Sequence, residues 1–364
     1  MFARTALFAL VVAFVGCSKS QAPVQLHEPS AGKNPPVEVA VAVVEKTELA
    51  PGQADPAEFA HIVHADGSEF VVLSASPDAD HWAKGNPTLV SRESPVIVRK
   101  DVEMAQLPKA MSRLEGRSMG LVGATGEVCR GTLGRPFLMS RVEPHFGERS
   151  RWEGEEDENG VKAPALTDER VAEIAWEMTG GEGKILVAEL ENTTGDCQDA
   201  RFARATDLPG LPTTAPRAPA ASLAIQAKEA FRKLPAYQTI EKSYRESNHA
   251  TASVAWSESV GADVTMLEFA TGKTTYLWVA ATGGEVCSDF LGRMNVLWKV
   301  KGTNAKKFEF EVIYQGEEEF TPRVLVQLPG DSGPSLVGQE SMLRKDQKVY
   351  GYEDLHVPFL DCPC

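Results

Sequence analysis

Apolar and polar residues alternate most clearly over residues 306–314 (KKFEFEVIY), where Phe308, Phe310 and Val312 fall on one side and Glu309 and Glu311 on the other. A period of two predicts a half-buried strand. Two nearly unbroken apolar runs, KILVAEL at 184–190 and RVLVQLP at 323–329, predict buried strands. The period lengthens at 168–178, where Val171, Ile174, Ala175 and Met178 share one helical face. A second helix is expected over 223–234, with Ser222 as its cap and Pro235 as its stop. Shorter apolar stretches at 119–122 and 276–280 each lead into a Thr-Gly turn, the pattern of antiparallel strands. Sheet-rich segments with one or two helices apiece predict an α+β class.

The pattern also repeats. Residues 124–142 (ATGEVCRGTLGRPFLMSRV) line up with 281–300 (ATGGEVCSDFLGRMNVLWKV) with one glycine inserted. From Glu127 to Val142 the match to Glu285 through Val300 is ungapped, and seven of sixteen positions are identical. Two copies some 158 residues apart indicate a duplicated domain rather than a solenoid. Between the copies, residues 207–221 (DLPGLPTTAPRAPAA) carry Pro209, Pro212, Pro216 and Pro219. Proline at that density continues neither a helix nor a central strand, so the segment reads as an interdomain linker. It divides the body into a first α+β repeat domain at 58–206 and a second at 222–364. Each is expected to be a mainly antiparallel sheet with one or two helices and one disulfide. Ahead of them, the proline-punctuated stretch 17–57 reads as a disordered tether, within which 37–44 (VEVAVAVV) is the one candidate strand.

Charge narrows the partners. The 364-residue chain is 43% hydrophobic and 24% charged, as folded proteins are, and its net charge is −14. That balance argues against nucleic acid, which needs clustered Lys and Arg, and against a body lying flat on anionic lipid.

At the amino end, Arg4 leads into ten mostly apolar residues, 6–15, closed by Gly16 and Cys17. The run is too short to span a bilayer, and a basic start, short apolar core and small closing residue read as a secretory signal, 1–16. With cysteine just after the cut, the segment resembles a bacterial lipoprotein signal, although Phe14 stands where such signals usually carry Leu. The resemblance implies that Cys17 is diacylated, becomes the mature N-terminus and is the chain's membrane attachment. It covers the signal and Cys17 only. Ser18 beside the anchor would, by the sorting rule of enteric bacteria, direct the protein to the outer membrane rather than the inner. An ordinary secretory signal cut near Gly16, giving a soluble secreted protein, is the alternative.

Five further cysteines are Cys129, Cys197, Cys287, Cys362 and Cys364. In an exported chain they predict disulfides. Cys129 and Cys287 occupy the same column of the repeat, and Cys197 and Cys362 each follow an aspartate, Asp196 and Asp361. The expected bonds are therefore Cys129 to Cys197 and Cys287 to Cys362, with Cys364 as the odd thiol and able to exchange roles with Cys362.

The catalytic motifs are weaker. Gly116-Arg-Ser118-Met-Gly120 matches a nucleophile elbow, but a helix is expected before it and a strand after it, the reverse of the required order. Gly330-Asp-Ser332-Gly-Pro334 resembles a protease nucleophile loop without a segment to supply its base, and reads as a turn. His61 and His64, with Asp78, Asp80 and His81 downstream, hold zinc-ligand chemistry, yet side chains three apart on a strand face opposite ways. The acidic run 153–158 could open a calcium loop at Glu155, but Leu166 stands where the bidentate carboxylate belongs. Trp256, Trp278 and Trp298, expected on successive strands, fit a core better than an exposed sugar-stacking face. Cys362-Pro-Cys364 lacks the spacing and helix of a redox pair. No catalytic residue, metal ligand or cofactor is therefore assigned. The expectation is a noncatalytic cell-envelope lipoprotein that binds or assembles with a protein or envelope-polymer partner. An envelope hydrolase with a dispersed active site is the alternative.

Overall fold

The computed structural model describes residues 55–75, 77–156, 160–181, 183–247, 253–259, 261–272, 274–285, 289–304, 307–346 and 349–360. By contact the chain parts into Met1–Glu45, which lies outside the described residues, and Lys46–Cys364. The signal segment, Cys17 and almost all of the expected tether also lie outside them, as do Cys287, Cys362 and Cys364.

The first half is built from β1 (Ala60–Ala65), β2 (Ser68–Ser74), β3 (Ala83–Ser91), β4 (Val96–Val102), α1 (Lys109–Ser112), β5 (Ser118–Gly123), β6 (Gly126–Leu133), β7 (Phe137–Val142), α2 (Phe146–Glu153), α3 (Asp168–Met178), β8 (Lys184–Gly195) and β9 (Phe202–Ala205). All their pairings are antiparallel. The strand expected at 184–190 extends to Gly195, and that length makes it the branch point. It pairs with β7 and then β6 along one edge and with β2 along the other. Pairing therefore runs β1-β2-β8-β6-β5-β9 and back to β1, a closed ring, while β7, β4 and β3 extend the sheet sideways. Closure removes exposed strand edges and encloses a core of Ile62, Val71, Leu121, Leu133, Leu186 and Leu190.

Cys129 on β6 is bonded to Cys197 just ahead of β9, with Cα atoms 5.0 Å apart. Both are buried, and the bond clips the β8–β9 connection to the ring. The expected Cys129–Cys197 pair is thus present.

Helix α3 has the expected limits. Thr167 caps it by accepting from the Arg170 N–H, and Asp168 and Glu169 sit at its positive end. Its buried face differs from the expected one. Val171, Ala172, Ala175 and Trp176 pack inward, whereas Met178 is 45% exposed. Trp176 has the larger apolar surface, so the helix turns to bury it.

The second half holds β10 (Thr213–Thr214), α4 (Ala221–Arg232), α5 (Pro235–Glu246), β11 (Asp263–Thr271), β12 (Thr274–Gly284), β13 (Leu291–Asn304), β14 (Lys307–Gly316), β15 (Val324–Val326), β16 (Ser335–Val337), β17 (Ser341–Asp346) and β18 (Val349–Asp354). Strands β11–β14 form an antiparallel meander, and β10-β15-β16-β17-β18 form a second sheet. The meander is covered on both sides. Leu277, Val279, Met294, Val296 and Trp298 face α4 and α5, whereas Phe269, Trp278 and Leu297 face the second sheet. Burial of both faces explains why β12 reads as an unbroken apolar run.

Several local expectations change. Ser222 is inside α4, whose cap position is Ala220, because the helix begins at Ala221, two residues before the expected start at Leu223. Pro235 ends no chain of helices; it opens α5 at the first helical position, where a missing N–H costs nothing. Trp256 lies on a short 3-10 helix rather than a strand, and all three tryptophans are buried. The repeat is alike only in part. Thr125-Gly126 turns between β5 and β6, but Thr282 and Gly283 remain in β12, paired with Arg293 and Gly292. The proline-rich 207–221 contributes β10, and Arg217 exchanges backbone hydrogen bonds with Glu268 at 2.9 and 2.8 Å. Among the described residues no helix is long and apolar enough to cross a membrane.

The halves meet in an apolar layer. Phe59, Val122 and Phe202 of the first pack against Val324, Val326, Val337 and Met342 of the second. Beside it the His61 imidazole lies 3.7 Å from the Glu353 carboxylate, and hydrogen bonding to His61 holds that carboxyl below its usual range, with Arg344 assisting. A depressed carboxyl pKa contributes stability above the unfolded value, about 4.3, that is lost as pH falls through the folded one. Melting curves of the wild type and Glu353→Gln should therefore differ above that unfolded value, at about pH 5.5, and converge as pH falls through the depressed carboxyl value; a difference that persists at acid pH rules out this pair as its source.

Candidate functional site

An open groove of about 600 Å³ lies between the first-half strands and the end of the second sheet. Its position follows from three tight turns and one buried arginine. The β1–β2 hairpin closes on Asp66-Gly67, both with positive φ (50° and 75°), the two-residue turn that Asp-Gly favours. The β3–β4 turn contributes Ser91, Glu93 and the cis Ser94–Pro95 pair. Gln339 and Glu340, the latter also at positive φ, come from the β16–β17 turn, and Asp354 ends β18.

Arg141 of β7 reaches the groove from below and is only 2% exposed. Its Nη1 donates to Glu340, its Nη2 donates to the Leu355 carbonyl at 2.7 Å, and its Nε has no partner among the described residues. Its backbone N–H donates to the Gly183 carbonyl at 3.1 Å. Gly183 has φ +73°, and a Cβ there would meet Pro358 at 2.5 Å and the Arg141 carbonyl at 2.9 Å. Only glycine admits this approach. Residues 355–360 thereby strap the second half onto the first. Leu355 enters the core of Val63, Phe137 and Met139, and Glu143 exchanges backbone hydrogen bonds with Pro358 and Leu360.

The groove is rich in recognition chemistry. Asp66, Glu93 and Asp354 bring carboxylates to its rim, while Glu340 is committed to Arg141. His64 lines it with Nε2 3.4 Å from the Ala200 carbonyl and Nδ1 3.9 Å from Glu69. Ser91 accepts from the Glu93 N–H, and neither Ser91 nor Ser94 is hydrogen-bonded to His64. An unactivated hydroxyl is a poor nucleophile.

The sequence-derived candidates are dispersed. His61 pairs with Glu353, Asp80 accepts from Lys184 at 2.6 Å, and His81 packs on Trp82 with ring centres 4.6 Å apart. The Asp78 side chain lies outside the described residues, as do 157–159 of the acidic run. Among the described residues no three His, Cys, Asp or Glu side chains are placed to hold a metal ion. Ser118 opens β5 after α1, and Ser332 lies in the bend before β16. Arg141 and Glu340 were not singled out in the sequence. The signal for Arg141 was its place in Phe137–Val142, a strand otherwise apolar but for Ser140, since arginine is rarely buried without a partner.

Comparison of the chain with protein-family models, with characterised proteins and with solved structures finds no match.

Removing one partner of a buried pair leaves an uncompensated charge. Glu340→Ala should lower unfolding stability by about 3 kcal/mol, somewhat less than a fully buried pair because Glu340 retains 20% side-chain exposure. Urea melts at constant m-value measure this, and a loss under about 0.5 kcal/mol, the range of ordinary surface changes, would show that Arg141 finds other compensation.

Proposed function

We propose that this chain is a noncatalytic cell-envelope lipoprotein, diacylated at Cys17, tethered to the outer membrane through residues 17–57, and acting as a binding or assembly module. The observation that carries this reading is the buried Cys129–Cys197 bond in a chain whose leader closes on Gly16-Cys17. Such bonds persist in oxidising compartments and are rare in the cytosol. The groove at Arg141 supports binding over turnover, since it offers charge and hydrogen bonds without an activated nucleophile. In this reading 58–206 and 222–364 are duplicated domains, and Cys287–Cys362 is the counterpart of Cys129–Cys197. The partner is a protein or envelope polymer, reached from the membrane through the N-terminal lipid.

Replacing Cys17 with Ser and fractionating cells tests the anchor. The variant is expected to leave the detergent phase, and its retention there would refute the lipid attachment. Catalysis is tested separately with a fluorophosphonate probe on the purified protein. No labelling is expected, whereas labelling abolished by Ser118→Ala or Ser332→Ala would establish the hydrolase instead.

A further inference from the structure

Where the β11–β12 turn meets the start of the second sheet, a pocket of about 300 Å³ opens. Thr271 and Tyr276 line it from the meander, and Thr214, Leu325 and Gln327 from the second sheet. Side-chain directions explain the convergence. Tyr276 pairs with Phe269, which faces the second sheet, so Tyr276 and Thr271, two residues past Phe269, face it too. From the other side Thr214 stands opposite Leu325, a member of the same buried cluster.

The polar groups here are mostly unspent. Tyr276 packs against that cluster, yet no described ring stacks on it and its hydroxyl has no hydrogen-bond partner among the described residues. Burial alone pushes its phenol pKa up. Thr214 and Thr271 likewise leave their hydroxyls unused among the described residues. Gln327 donates its amide to the Leu328 and Asp331 carbonyls at 3.5 and 3.0 Å, which leaves Oε1 to accept. No described side chain in the lining is charged, in a chain of which 24% of residues are. Lys299, opposite Tyr276 on β13, lies outside it.

An aromatic ring with neutral hydroxyls and an amide oxygen complements a neutral polyol. The C–H bonds of a sugar ring pack on an aromatic face, and its hydroxyls exchange hydrogen bonds around the edge. The volume is at the small end for ligand pockets, enough for one ring. Pro212, Pro334 and Leu325 make the remaining walls apolar. They suit the methyl of an acetamido group, whose N–H needs an acceptor such as Gln327 Oε1. A phosphate or carboxylate would find no counter-charge in this lining. A proline-rich peptide needs a longer groove of aromatic side chains.

We infer that this pocket binds one neutral pyranose ring of the N-acetylhexosamine class, held by Tyr276, Thr214, Thr271 and Gln327. The site stands apart from the groove at Arg141 and from the lipid anchor, so its failure leaves both untouched.

The test titrates N-acetylglucosamine into the purified full-length protein, read by saturation-transfer NMR on the sugar's acetyl and ring protons. Saturable binding near about 1 mM is expected. Tyr276→Phe keeps the ring and its packing but loses the hydroxyl, and should bind roughly threefold to tenfold more weakly, as should Thr214→Val. N-acetylglucosamine 6-phosphate, the same ring with a charge added, should bind more weakly than the neutral sugar. Absence of saturable binding, affinity unchanged in both variants, or tighter binding of the phosphorylated sugar overturns the assignment. Binding of a proline-rich peptide in place of the sugar likewise overturns it.

Discussion

Burying the Arg141 guanidinium is the constraint on which the junction of the two halves depends. Taking such a cation out of water costs several kcal/mol, and only a nearby carboxylate with further acceptors offsets that cost. Both come from the second half of the chain, as Glu340 and the Leu355 carbonyl. Their placement fixes the β16–β17 turn and the strap at 355–360, and the strap in turn requires Gly183 beneath Pro358. Closing the turns over Arg141 would bury the rim carboxylates of Asp66, Glu93 and Asp354, a cost that favours an open groove.

Around this junction the halves solve the same problem differently. A sheet must cover its apolar faces and protect its edges. The first half bends its sheet into a ring, with β8 long enough to join both sides and Cys129–Cys197 holding the last turn before closure. The second leaves its meander open and covers it with helices on one face and a sheet on the other. Its free edge strand, β14, presents Lys307, Glu309 and Glu311 to solvent, charges that discourage pairing with another chain.

Elements dictated by local pattern were legible in the sequence. The limits of α3, the alternation of β14 as far as Phe310 and the Cys129–Cys197 pair follow from spacing, capping or shared repeat columns; Val312, expected on the buried side with Phe308 and Phe310, is instead 46% exposed, because a bulge shifts the register between Tyr314 and Val312. Features set by distant contacts were not. The face of α3 depends on which sheet residues meet Trp176, and the continuation of β12 through Thr282-Gly283 depends on its pairing with β13. The Arg141–Glu340 pair spans 199 residues, a separation over which no periodicity carries information. A lone arginine in an apolar strand said that a partner was needed, but not where it would come from.

The aligned positions Arg141 and Lys299 meet different surroundings in the two halves. A cation on a half-covered strand is tolerated only if neutralised, solvated or offered to a ligand. In the first copy Glu340 supplies the neutralisation, and the arginine becomes part of the junction. In the second, Lys299 lies across the strand pair from Glu311, whose carboxyl is held below its usual range by Lys301 with the Lys299 charge assisting. Lysine suits that place, because its flexible stem lets the ammonium stay hydrated at the sheet surface. Equivalent positions thus carry a buried, fixed charge where the halves meet and a hydrated one beside a cross-strand carboxylate where the sheet opens to solvent.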